Sequence, residues 1–104
     1  MTSGRRIAFR RIAAAASNRA DDIVARWLPN GRREGPEWTS LNPTRGDKTR
    51  GSFKVNLRTG AWGDFATGDR GGDLISLGSY LHRIKQGESA IRLARMLAIE
   101  VYDD

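Results

Sequence analysis

The segment SFKVNLRTGAWGDF, residues 52–65, predicts an antiparallel β-hairpin. Apolar and polar residues alternate along its first half, as expected for a strand with one buried face. If residues 58–60 form a three-residue turn that ends on a left-handed glycine, Asn56 lies opposite Trp62 on the polar face. We therefore expect Trp62 to be exposed. A two-residue turn would instead bury Trp62 beside Leu57.

Two helices are predicted after the hairpin. Asp73 follows two glycines and precedes an apolar run, so it is expected to cap the first of these helices. The inward-facing residues of that helix are Leu74, Leu77, Leu81 and Ile84. Gly78 costs about 1 kcal/mol relative to alanine in a helix, which indicates close packing against a neighbour. Residues 88–101 form the last predicted helix.

The region before the hairpin predicts an arm, a helix and a short strand. Residues 1–16 are rich in arginine and lack acidic residues, and we interpret them as a basic N-terminal arm, frayed or helical. The remaining domain, residues 17–104, begins with a helix whose apolar face carries Ala20, Ile23, Val24, Trp27 and Leu28. Residues 30–36 indicate a polar loop and 38–41 a strand. The expected fold class is α+β: an N-terminal helix, a small antiparallel sheet and two C-terminal helices.

The charge distribution favours a polyanionic partner. The 104 residues carry a net charge of +6, and the first 58 hold thirteen basic and five acidic side chains. Arginine predominates, and its planar guanidinium suits phosphates and base faces. A solvated basic surface without a partner is the alternative. Because no apolar run reaches membrane-spanning length, we expect a cytoplasmic protein without a membrane partner.

Catalytic and metal sites find little support in the sequence. The chain has no cysteine and one histidine, His82, which excludes a zinc site of cysteines and histidines. Asp64, Asp69 and Asp73 lack the spacing of a calcium loop, although they could supply ligands to Mg²⁺. No nucleophile with a general base stands out. We therefore expect neither a cofactor nor catalysis by this chain.

Five motifs follow one another along the chain: DDIV at 21–24, SFKVNL at 52–57, WGDF at 62–65, GGDLISLGSYL at 71–81 and ESAIRLARML at 88–97. Their order and spacing resemble the N-terminal zinc-binding, zinc-ribbon domain of bacterial DNA primases over about residues 21–98. Where that family carries its four zinc ligands, this chain has Asn42, Arg45, Asp64 and Thr67.

These four residues cannot form a tetrahedral zinc site of thiolates and imidazole. The resemblance therefore implies a metal-free form of the domain, of a kind that would suit a phage, plasmid or mobile-element primase–helicase. We expect Arg45 and Asp64 to form an ion pair where the metal would lie, and Asn42 and Thr67 to add hydrogen bonds.

In the primase family this domain binds single-stranded template and assists a separate catalytic domain. The resemblance implies a non-catalytic DNA-binding module for DNA replication, with single-stranded DNA and a replicative helicase, polymerase or primase catalytic domain as partners. The residues expected to contact nucleic acid are Arg45, Lys48, Arg50, Lys54, Arg58 and Trp62. The alternative is a protein-interaction adaptor that has lost DNA binding together with zinc and docks through its helices.

Overall fold

The structure, a computed structural model, describes residues 5–46 and 51–103. Helices and an antiparallel sheet make up this part of the chain, so the predicted α+β class is confirmed. Two helices precede the main sheet, rather than the single predicted helix, and two follow it. The elements are β1 (Arg6–Ile7), α1 (Phe9–Ser17), α2 (Ala20–Trp27), β2 (Arg32–Glu34), β3 (Glu37–Ser40), β4 (Phe53–Asn56), β5 (Trp62–Asp64), β6 (Arg70–Gly71), α3 (Leu74–His82), α4 (Gln86–Met96) and β7 (Tyr102–Asp103).

The main sheet has five antiparallel strands in the order β2-β3-β4-β5-β6. Its inner face packs against the helices and carries Trp38, Phe53, Val55 and Trp62. The Trp38 indole N–H donates to the Leu28 carbonyl at 3.0 Å, which ties β3 to the end of α2. The outer face of the sheet is polar, and no helix of the described chain covers it. One face of the sheet therefore builds the core and the other remains open.

Strand β2 lies within residues 30–36, so the predicted loop is wrong there. Glu34 pairs with Glu37 on β3, and Gly35 begins the two-residue turn between them. Gly35 has a φ of 61°, which tight hairpin turns require at this position. The strand is polar because it is an exposed edge, and its composition therefore resembles that of a loop.

The β4–β5 hairpin turns through four residues, 57–60, and the predicted three-residue turn is wrong. The Asn56 side-chain oxygen accepts hydrogen bonds from the backbone N–H groups of Arg58, at 2.8 Å, and Thr59, at 3.1 Å. Such a side-chain acceptor stabilises the longer turn. Gly60 has the expected positive φ, 83°.

The longer turn changes which side chains of β5 enter the core. Lys54 lies opposite Gly63, and Val55 lies opposite Trp62. Because side chains alternate along a strand, a shift of one residue moves each of them to the other face. Trp62 and Asp64 consequently point inward, while Gly63 faces outward.

The C-terminal helices largely follow the sequence pattern. Asp73 caps α3 by accepting a 2.8 Å hydrogen bond from a backbone N–H in the first turn, as predicted. A Cβ atom at Gly78 would lie 2.5 Å from Ser89 Oγ, so the close packing predicted at this glycine is confirmed. Helix α4 ends earlier than residue 101 because Ala98 adopts a left-handed backbone with a φ of 56°.

The described part of the predicted basic arm is packed into the domain. Helix α1 fully buries Ile12 and Ala16, which lie one turn apart on the face toward α3 and α4. Strand β1 pairs with β7 near the other end of the chain. Residues 6–17 therefore pack with the remainder of the described chain. On α2 the predicted apolar face is buried at Ala20, Ile23, Val24 and the adjoining Leu28.

Candidate nucleic-acid interface

Trp62 lies on the inner face of the sheet, and the prediction that it is exposed is wrong. Only 7% of its surface is accessible. Its ring centroid lies 4.6 Å from that of Tyr80 and 6.0 Å from that of Phe53. The indole N–H donates to Ser76 Oγ at 3.0 Å. With its ring packed and its N–H bonded, Trp62 supports the fold and is not available to stack on a base.

A buried polar cluster lies at one end of the same face, around the carboxylate of Asp64. Asn42 Nδ2 donates to Asp64 Oδ2 at 2.8 Å, and Arg45 Nε lies 3.1 Å from the same oxygen. Asp64 and Asn42 are inaccessible to solvent, or nearly so, whereas the Arg45 side chain is about one third exposed. The predicted approach of Arg45 to Asp64 and the predicted hydrogen bond from Asn42 are both confirmed.

Tyr80 of α3 joins this cluster, and the sequence analysis did not single it out. Asn42 Nδ2 donates to the Tyr80 hydroxyl at 2.9 Å, and that hydroxyl donates to Asp69 Oδ2 at 2.9 Å. Thr44 Oγ1 donates to Asn42 Oδ1 at 2.7 Å. The ring of Tyr80 also stacks on that of Phe53, with centroids 6.2 Å apart. Tyr80 therefore connects the polar cluster to the aromatic core.

Asp64 also organises the loop that follows β5. Its Oδ1 accepts the backbone N–H of Ala66 at 2.8 Å, and its carbonyl accepts those of Thr67 and Gly68 at 3.3 and 2.8 Å. The Thr67 hydroxyl accepts the backbone N–H of Asp69 at 3.2 Å. Thr67 is exposed, and its hydroxyl bonds inside its own loop. The expectation that Thr67 joins Asn42 and Arg45 at the carboxylate is therefore wrong.

The environment of Asp64 favours its charged form. Burial alone would raise the pKa of this carboxyl. The hydrogen bonds from Asn42 and from the Ala66 N–H, the charge of Arg45 and the Ser52 hydroxyl outweigh burial, so the pKa of Asp64 lies below its ordinary value of 3.8. The cluster thus holds an ionised carboxylate inside the protein.

The other candidate ligands have separate structural roles. Asp73 caps α3, Asp69 accepts the Tyr80 hydroxyl, and His82 is exposed with its ring edge-on to Trp27. Over residues 5–46 and 51–103, no three acidic or histidine side chains are grouped closely enough to hold a metal ion. The predicted contact residues Lys48 and Arg50 lie outside the described residues.

The outer face of the sheet carries a groove of about 430 Å³, which we call the outer groove. Gly63 of β5 lies on the floor of this groove, and its lack of a side chain keeps the floor open. Lys54 of β4 and Arg70 of β6 lie on either side of Gly63 in the sheet. Phe65, directly after β5, completes the wall and is 78% exposed. The groove thus combines an open floor, two cations and an accessible aromatic ring.

The outer groove is lined by two cations, Lys54 and Arg70, and by three carboxylates, those of Glu37, Asp64 and Asp69. Lys54 Nζ lies 3.9 Å from Glu37 Oε1, a loose ion pair in which both side chains are about one third exposed. Arg70 forms no ion pair with any residue that the structure describes. The Asp69 carboxylate accepts the Tyr80 hydroxyl instead. Arg70, which is exposed, is therefore the cation of the groove most accessible to an anion.

Phe65 and Arg70 are the site residues that sequence reasoning missed. Phe65 directly follows β5, and Arg70 begins β6. The alternating pattern placed Phe65 within the predicted hairpin, so it gave no signal that this ring is exposed. The predicted contact residue Arg58 does not line the outer groove; it lines a second groove with Arg33 at the turn end of the sheet.

Comparison with known proteins assigns no family to this chain: no family model matches it, and no curated protein matches it significantly. None of the helices in the described part of the chain has the length and apolar character needed to cross a membrane.

Proposed function

We propose that this domain is a non-catalytic module that binds single-stranded DNA across the outer face of its sheet. The observation that carries the proposal is Phe65, a large aromatic side chain that is 78% exposed beside the cations of the outer groove. Aromatic side chains of this kind stack on unpaired bases, and each such contact is worth about 1–3 kcal/mol. Lys54 and Arg70 line the same groove and would contact the neighbouring phosphates.

The geometry favours single strands over duplex. Stacking needs the face of a base, and bases inside a duplex present only their edges to a protein. Among the described residues, those that line the outer groove belong to strands and loops, and none belongs to a helix that could enter a groove of duplex DNA. Because every base has an aromatic face, we expect weak sequence preference. Because the cations would contact phosphates, we expect the affinity to depend strongly on salt.

The resemblance to primase zinc-binding domains supports a role in template recognition during primer synthesis or replication initiation, in the cytoplasm. In this proposal the domain works with a separate primase catalytic domain, polymerase or helicase, as in a phage, plasmid or mobile-element primase–helicase. Asn42, Arg45 and Asp64 would hold the loops that zinc holds in that family.

Fluorescence anisotropy with labelled oligonucleotides tests the proposal. The wild-type protein should bind single-stranded DNA more tightly than duplex of the same sequence, with single-stranded RNA as a third ligand. Affinity should fall as salt rises, and the slope of log K against the logarithm of salt concentration should steepen by about 0.7 for each phosphate contacted. Equal binding to single strands and duplex, or binding without a salt slope, contradicts the proposal.

Two kinds of variant locate the site within the outer groove. Lys54→Gln and Arg70→Gln should each weaken binding and lower the salt slope, whereas Arg95→Gln, on α4 away from the sheet, should change both much less. Gly63→Thr should fill the groove floor without altering charge. A Cβ at Gly63 meets only ordinary contacts at 3.7 Å, so the variant should fold. Normal affinity in Gly63→Thr contradicts binding in this groove.

An adaptor that docks through its helices is the second candidate. Met96 of α4 is 41% exposed and lines a shallow cleft of about 120 Å³ with Arg26 of α2 and with Arg19, which precedes α2 and pairs with Asp22. An apolar side chain between two arginines would suit an acidic protein segment. Such an adaptor would show neither retention on single-stranded DNA nor a salt slope, so the anisotropy experiment separates the two functions.

A further inference from the structure

A second groove, of about 260 Å³, opens at the end of the sheet where its turns lie. We call it the arginine groove because Arg33 of β2 and Arg58 of the β4–β5 turn both line it. Leu57 N donates to the Pro36 carbonyl at 2.9 Å, which holds the β2–β3 turn against the β4–β5 turn. Both arginines are exposed.

The arginine groove has the chemistry of a phosphate site. Arg33 Nε donates to the Gly35 carbonyl at 3.0 Å, which leaves its terminal nitrogens available. Neither Arg33 nor Arg58 forms an ion pair with any residue in 5–46 or 51–103. Asp21 is the one acidic side chain of the lining, and its Oδ1 accepts the adjacent backbone N–H of Asp22. Two guanidinium groups against one carboxylate favour an anion, and guanidinium pairs well with phosphate oxygens.

The arginine groove lies at one end of the sheet, on the side of helices α1 and α2, since Ser17 and Asp21 also line it. Glu37 and Asn56 line the outer groove, and the residues next to them in the chain, Pro36 and Leu57, line the arginine groove. A DNA strand that passes around this end of the sheet from the outer face would therefore reach Arg33 and Arg58.

We infer that the arginine groove is a second phosphate subsite, which holds the backbone of the same single-stranded DNA after it leaves the outer groove. The inference rests on the proposed function and extends it: the bound segment is longer than the outer groove alone can contact. Short oligonucleotides occupy only the outer groove, and longer ones also reach Arg33 and Arg58.

The test compares wild type with the double variant Arg33→Gln/Arg58→Gln on oligodeoxythymidylates of about 4, 8 and 16 nucleotides, which span the site sizes of small single-strand-binding folds. The double variant should bind the longest oligonucleotide roughly tenfold more weakly, with a salt slope lower by about 0.7–1.4. It should bind the shortest one like wild type. Arg95→Gln is the matched control, since it removes an exposed guanidinium from α4.

Two results overturn the inference while leaving the proposed function intact. One is a double variant that binds every length like wild type. The other is an equal loss at all lengths, which would assign the arginines to general charge attraction. If wild type binds no single-stranded DNA at any length, the proposed function itself fails. Thermal unfolding of each variant checks the fold, and exposed Arg→Gln changes should leave it unaltered.

Discussion

Asp64 and Phe65 are neighbours in sequence, yet they lie in opposite environments. The carboxylate is 2% exposed and the phenyl ring is 78% exposed. This reverses the usual distribution, in which large apolar side chains are buried and charged ones face solvent. The reversal occurs where β5 ends, at the border between the polar cluster and the outer groove.

The two residues differ because one has partners and the other does not. Asp64 tolerates burial because Asn42, Arg45 and the Ala66 N–H satisfy its oxygens. Phe65 contributes its backbone N–H, bonded to the Ser52 carbonyl at 2.8 Å, while its ring adds nothing to the core. We infer that Asp64 stabilises the loop and that the loop exposes the Phe65 ring for stacking on a base.

Replacing Asp64 should have the largest effect on stability. Asp64→Ala leaves the Asn42 amide and the Arg45 guanidinium without their shared acceptor and frees the loop after β5. We expect a loss of about 3 kcal/mol in the free energy of unfolding, reduced from that of a fully buried pair because Arg45 is partly exposed. Urea unfolding measures it. Asp69→Ala, which removes an exposed carboxylate with one hydrogen bond, is the control and should cost clearly less; equal losses would contradict the central role of Asp64.

Replacing Trp62 should have the next largest effect on stability. It also distinguishes the role of the buried Trp62 from that of the exposed Phe65. Trp62→Phe removes the indole N–H bonded to Ser76 and part of the ring packed on Tyr80. We expect the free energy of unfolding to fall by about 1–2 kcal/mol. Affinity for single-stranded DNA should stay close to wild type under conditions where the variant is folded. A stable variant with weakened DNA binding would instead favour an exposed, stacking Trp62.

Lowering the pH should reduce the free energy of unfolding through protonation of Asp64. Because the pKa of Asp64 is lower in the folded protein than its ordinary 3.8, its charge stabilises the fold fully above that value. This contribution is lost as pH falls through the lowered folded pKa. Urea unfolding from about pH 6 to pH 2 should show a loss of stability below about pH 4 that is smaller in Asp64→Asn. An identical acid profile in both proteins would contradict this assignment.

Local signals in the sequence predict several parts of the fold correctly. The alternation in β4, the cap at Asp73, the small-residue contact at Gly78 and the apolar face of α2 each depend on a few neighbouring residues. The approach of Arg45 to Asp64 was also predictable, although from the family resemblance rather than from any local pattern. Only the four local features could be predicted from spacing alone.

The errors come from interactions that spacing does not reveal. Asn56 lengthens the hairpin turn by binding two backbone N–H groups, and this single difference buries Trp62 and exposes Gly63. Tyr80 reaches Asn42 across 38 positions in the chain. Helix α1 belongs to the core because it packs on α3 and α4, which lie more than 50 positions later in the chain. Each of these requires the tertiary structure.

Phe65→Ala, measured against Phe9→Ala, tests most directly whether the exposed aromatic of the outer groove binds DNA. Phe9 is the matched control because it is 44% exposed on α1, away from the groove. Phe65→Ala should weaken single-stranded DNA binding by about 1–3 kcal/mol and leave the melting temperature nearly unchanged, while Phe9→Ala should leave DNA affinity at the wild-type value. Unchanged DNA affinity in a folded Phe65→Ala, or an equal loss in Phe9→Ala, would contradict the account.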